Sequence, residues 1–227
     1  MFLNNVVNLC YALFLTQTLN LTLNMLLKNN SKYKEHTENR QRYITKNMVK
    51  SMLLCFISGI TIKPVYDIIT YNKWNNTIIH TLGSLYVSND ILGLLCINDL
   101  PRSTKFHHIV TTLLLFLNFS IDYTEINTCM IEIGKLLVVY VIFSSYAFLV
   151  NYTLGYRFLT SSDSKELAQL KTVSYYTYLL SCIINWSIQV VLLYKFTHIP
   201  IYSKFAYMFI MIPIINDDLV LMSWLRS

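Results

Sequence analysis

Glycine and proline are scarce in this chain, five and four among 227 residues. That leaves little turn material for a β-rich fold, and the apolar runs lack the alternation of roughly ten-residue barrel strands. Charge is scarce too: Asp, Glu, Lys and Arg make up 13% of the residues against a hydrophobic share of 54%, with a mean hydropathy of +0.44. This balance excludes an ordinary soluble domain. Because a backbone in lipid must satisfy its own hydrogen bonds, it predicts an all-α, polytopic membrane bundle or barrel. Cys10, Cys55, Cys96, Cys129 and Cys182 stand singly within apolar runs, with no Cys-x-x-Cys pair, so neither a disulfide framework nor a structural zinc site is expected. Also missing are a Gly-rich phosphate loop, a metal motif, a nucleic-acid module and the Asp-Arg-Tyr and Asn-Pro-x-x-Tyr motifs of seven-helix receptors. No bound cofactor, metal or nucleic-acid partner is expected.

What the chain does have is a series of apolar runs. Residues 2–27 carry no charge but include Asn4, Asn5, Asn8, Asn20 and Asn24. Without an early basic residue or a small-x-small cleavage site, this run reads as an uncleaved helix rather than a signal peptide. Six more helices are expected over about 51–70, 76–97, 101–121, 126–154, 172–193 and 207–224, with a kink or end at Lys63-Pro64 and Pro101 in the first turn of the fourth. The segment 28–50 reads as a polar loop holding seven Lys and Arg, and the stretch 157–171 as a second loop with a serine-rich cap. Seven helices with the N-terminus outside put thirteen Lys and Arg inside and four outside, so N-out, C-in is expected. One domain over residues 1–227 accounts for the close spacing. The basic loop sets orientation or attracts anionic headgroups; membrane lipids are the natural partners.

The chemistry-bearing stretch is 88–112, where Asp90 and the pair His107-His108 interrupt two apolar helices across a short turn. An Asp at mid-helix costs on the order of 2.5–3.5 kcal/mol on insertion scales, so Asp90 needs a polar partner. Asp90 lies about two turns from the end of its helix and the histidines one to two turns into the next, at comparable depth. Neighbouring helical residues point about 100° apart, so one histidine is expected to face Asp90 and the other a cavity or another helix. Thr111 and Thr112 add hydroxyls along the same faces. Such an imidazole can act as a general base or accept an acyl group, with the carboxylate as its partner. It can equally be a satisfied contact within a bundle. Glu132 and Lys135, at i, i+3, are expected to pair, although Glu132 can also line the cavity. Asp217 and Asp218 are costly together at mid-membrane, so one should face a wet cavity or the helix should end there. His80 reads as interfacial, and His36 and His198 as loop residues without a role.

The pattern Tyr86-x-x-x-Asp90, a short turn, then His107-His108-Ile-Val-Thr-Thr-Leu-Leu resembles the hallmark of TLC-domain membrane proteins, whose best-known enzymes are the ceramide synthases. Glu132, in Met-Ile-Glu-Ile-Gly-Lys135, falls near an acidic position that follows the histidine helix in many members. The likeness spans about 86–140. The His-Asp-x-x-Ser-Asp-like acidic run of ceramide synthases and their homeobox-like domain are both missing, so the chain looks more like the smaller members. The resemblance implies a helical barrel around a lipid-accessible cavity in the endoplasmic reticulum or a related membrane. It also implies transfer of a fatty acyl group from acyl-CoA, as co-substrate, to a sphingoid base or related amine. His107, His108 and Asp90 are the implied catalytic residues, with Glu132, Asp217, Asp218, Thr111 and Thr112 as cavity candidates. A non-enzymatic lipid-binding, lipid-homeostasis or trafficking protein is the alternative.

Overall fold

The computed structural model describes residues 2–98 and 100–226. Asp99, within the turn of the 88–112 stretch, lies outside them. Ten α-helices and one 3-10 turn are present among the described residues, with no strand. The chain is an integral membrane protein: among the described residues five helices are long and apolar enough to cross a bilayer, or six if the bent pair 38–71 is one span.

Helix α1 (Phe2–Leu27) buries Asn5, Leu9, Ala12, Thr16 and Asn20 along one stripe and leaves Leu3, Tyr11, Phe14 and Met25 facing outward. Its asparagines act as interhelical glue. Asn5 donates to the Phe119 carbonyl at 3.3 Å, and Asn24 accepts from the Tyr33 hydroxyl at 2.6 Å.

The expected loop 28–50 is largely helical. After the short α2 (Ser31–Glu35), α3 (Glu38–Ile60) starts at Thr37, whose side chain accepts from the Arg40 N–H. Ile44, Thr45, Lys46 and Val49 are buried on the face of α3 that meets the bundle, so apolar packing carries the helix through a sequence that looks polar. The kink is where it was expected: α4 (Ile62–Tyr71) turns by 43° from α3, with Pro64 in its first turn.

Next come α5 (Asn76–Cys96) and α6 (Arg102–Asn118). At 17 residues, α6 is shorter than the other expected spans. The fifth expected helix is interrupted, running as α7 (Cys129–Ser144), a 3-10 turn (Ser145–Ala147) and α8 (Phe148–Tyr156). Ser164 caps α9 (Lys165–Lys195) directly, so the serine-rich segment opens one long helix rather than a separate short one. The last helix, α10 (Ile201–Arg226), passes through Pro213.

Contacts run round a closed ring, α3 to α5 to α6 to α10 to α9 to α8 and back to α3, with α7 against α9 and α1 outside on α5 and α3. Gly155 makes one of these approaches possible. A Cβ there would lie 2.7 Å from Met48 Cγ and 3.1 Å from the Ile44 carbonyl oxygen, so only glycine lets α8 lie this close to α3.

Candidate functional site

Helices α5 and α6 meet where their polar residues sit. Asp90 is fully buried, and its Oδ1 accepts from Lys50 Nζ of α3 at 2.6 Å. His108 Nδ1 stands 3.2 Å from the same oxygen, close enough to attract but not aligned as a hydrogen bond. Thr111 donates to Oδ2 at 3.2 Å. Ligand atoms of Asp90, His107 and His108 all lie within 4.8 Å of one another. Gly93, one turn below Asp90, leaves room for the His108 ring at 3.5 Å from where a Cβ would stand. The expected juxtaposition of Asp90 and the histidine pair is therefore present, with His108 towards the acid and His107 towards open space.

That open space has two parts. A polar cavity of about 360 Å³ is lined by His107, His108, Lys46, Lys50, Asp217 and Asp218, among others. A narrower apolar slot of about 90 Å³ runs from His107 and Thr111 past Leu114 and Leu115 to Asn118. At the helical rise this is roughly 16 Å along α6. His107 and Tyr86 border both. The His107 Nδ1 is buried without a hydrogen-bond partner among the described residues.

The other candidates divide. Asp218 is buried and accepts from the Tyr178 hydroxyl at 2.6 Å and the Tyr140 hydroxyl at 2.8 Å, which explains how an acid survives on α10. Asp217, half-buried, faces the same cavity. Thr112 lines neither space, and its hydroxyl donates to the His108 carbonyl of its own helix at 2.7 Å.

Glu132 and Lys135 do not pair. Glu132, in the first turn of α7 at the opposite end of the bundle from Asp90, receives His198 twice, from the backbone N–H at 2.9 Å and Nδ1 at 2.8 Å. With both carboxylate oxygens held, nothing turns it towards Lys135, and it does not line the polar cavity. Lys135 instead donates to Asn127 at 2.6 Å and lies over the Trp74 ring at 5.0 Å. His198 thus has a partner that its loop position did not reveal. His80 is not interfacial: it is 1% exposed, packed against Phe119 and Tyr123. His36 bonds the Phe158 carbonyl at 3.0 Å.

Sequence reasoning missed Lys50, because it was read as part of a basic loop. The signal was there in the i, i+4 spacing of Lys46 and Lys50 on a capped helix with buried Ile44 and Val49. Tyr140 and Tyr178 were also missed, since nothing local in a tyrosine-rich chain marks two residues that share one distant acid.

Asp90, His107 and His108 have the donor types of a divalent-metal site. Lys50 argues against one, because its ammonium already holds Asp90 Oδ1 at 2.6 Å and a cation would have to displace it. What the arrangement can do chemically is hold an imidazole with one unpartnered nitrogen, Nδ1 of His107, where a polar chamber meets an apolar slot. Against protein-family models, curated proteins and solved structures, no match to this chain was found.

Proposed function

We propose that this protein acts on membrane lipids, as an acyl-CoA-dependent N-acyltransferase of the kind its resemblance to TLC-domain proteins implies. The observation that carries this reading is the position of His107, on the border between a polar cavity and an apolar slot, beside the Asp90–His108 pair. A thioester with a long tail needs such a border, its chain in the slot and its carbonyl at the imidazole.

In the proposed reaction the acceptor amine attacks the thioester carbonyl carbon. The C–N bond forms, the C–S bond breaks, and His107 takes the amine proton and returns it to the departing thiolate, giving an amide and a thiol. Transfer of the acyl group to a histidine nitrogen first, then to the amine, uses the same groups. Asp90 draws His108 towards it, and Lys50 holds the carboxylate in place. With N-out, C-in orientation, the basic end of α3 opens to the cytosol, where acyl-CoA is found, in the endoplasmic reticulum or a related membrane.

One observation favours a second reading, a non-enzymatic lipid-binding or lipid-homeostasis protein. Asp90 is already met by Lys50, His108 and Thr111, which suffices for a structural contact. Lipid profiles of cells expressing the wild type, His107→Ala and His108→Ala separate the two. The enzyme reading expects an N-acylated lipid that rises with the wild type alone, and identical profiles in all three would sink it.

A further inference from the structure

Beyond the histidine cluster, the polar cavity holds a buried amine with no hydrogen-bond partner among the described residues. Lys46 is 6% exposed, yet its Nζ has no hydrogen-bond partner and no carboxylate within 4 Å among the described residues. One turn further along α3, Lys50 is satisfied by Asp90. The cavity's other acids do not reach Lys46: Asp218 is held by two tyrosine hydroxyls, and Asp217 makes no ion pair. Arg157, following α8, lines the same cavity; its side chain bonds Tyr43, its guanidinium lies over Trp224 at 4.7 Å and Phe158 at 4.6 Å, and its Nε is buried without a partner among the described residues. Arg157 and Lys46 both line this cavity, Arg157 just beyond the point where α8 packs on α3 at Gly155. Ser103 and Thr104, in the first turn of α6, also line the cavity, and Pro101 gives that helix start no side-chain cap.

A buried ammonium with no partner is costly, and the cost disappears when an anion supplies the missing charge and acceptors. We infer that Lys46 and Arg157 form an anion subsite in the polar cavity that takes a phosphate group of an amphiphilic ligand. The phosphate belongs either to a soluble acyl donor such as acyl-CoA or to a membrane lipid headgroup. A neutral lipid leaves the subsite unmet. This rests on the reading of the cavity as a lipid-substrate site but not on the acyl-transfer step.

The test uses the purified full chain in neutral maltoside micelles, with palmitoyl-CoA, dioleoyl phosphatidic acid and dioleoylglycerol as probes, and reads binding by native mass spectrometry. At least one phosphate-bearing probe is expected to bind about tenfold or more tightly than dioleoylglycerol. Lys46→Gln should remove that advantage, and Lys46→Arg should keep most of it. Binding of palmitoyl-CoA alone assigns the subsite to the soluble donor. Binding of phosphatidic acid alone assigns it to a lipid headgroup and overturns acyl-CoA as co-substrate while leaving the subsite standing. If Lys46→Gln binds both phosphate probes like the wild type, or the wild type prefers neither over dioleoylglycerol, the subsite is wrong. Should Lys46→Gln fail to accumulate, Arg157→Gln and the salt dependence of wild-type binding decide: phosphate binding that ignores both overturns the inference.

Discussion

Replacing Lys50 by Met removes the ion pair that ties α3 to Asp90 of α5. The side chains of Lys50 and Asp90 are 13% and 0% exposed, so the variant leaves a buried carboxylate with no ammonium beside it, only Thr111 and the two histidines. Breaking a buried pair by removing one partner costs about 3–5 kcal/mol, whereas removing both charges is often close to neutral. Lys50→Met is therefore expected to lose about 3–5 kcal/mol, and Lys50→Met/Asp90→Leu to return to within about 2 kcal/mol of the wild type. In the double variant Thr111 keeps its bond to the His108 carbonyl at 3.1 Å. Reversible unfolding in mixed detergent micelles, followed by tryptophan fluorescence, gives the double-mutant cycle. Single variants that each cost less than about 1 kcal/mol and add to the double within about 0.5 kcal/mol would show that no such buried pair exists.

Other perturbations test separate parts of the structure. Tyr178→Phe removes one of two hydroxyls from Asp218 and should cost about 1–3 kcal/mol, with Tyr140→Phe/Tyr178→Phe costing more than the sum of the singles; the same unfolding assay reads it. Gly155→Ala puts a methyl 3.1 Å from the Ile44 carbonyl oxygen and should destabilise by about 1–3 kcal/mol, seen as a lowered Tm. In the loop before α7, the hydroxyl of Thr124, the amide of Asn76 and the Thr124 backbone N–H hold the Asp122 carboxylate at a pKa of about 2. Since that value lies below the ordinary one, its contribution is present above about pH 4 and lost as pH falls towards about 2. The Tm difference between wild type and Asp122→Asn should accordingly be larger at pH 6 than at pH 2.5.

Much of the fold could be read from the chain because bilayer thickness dictates long apolar runs, and α1, α5, α9 and α10 have them. Helix α3 could not be read in the same way. It carries Arg40, Arg42, Lys46 and Lys50, which look solvated in sequence, and only tertiary packing turns the last two inward. The Asp90–His108 contact was legible because two local rules, depth from a helix end and the 100° step, apply to neighbouring helices joined by a short turn. Lys50 and Tyr178 lie 40 residues from the acids they serve, and no local periodicity encodes such a contact. The Glu132–Lys135 expectation failed for a related reason. Spacing says which residues are able to meet, and a distant loop bearing His198 offered Glu132 two better donors.

The central claim is that His107, beside the Asp90–His108 pair, carries lipid chemistry. Its most direct test is to incubate the purified wild type and His107→Ala in micelles with radiolabelled palmitoyl-CoA and sphinganine, and to count label in the amide. The account predicts amide formation by the wild type and a loss of at least about a hundredfold in the variant, the range in which general-base catalysis contributes. Equal amide yield from both proteins, or none from a folded wild type, would contradict it.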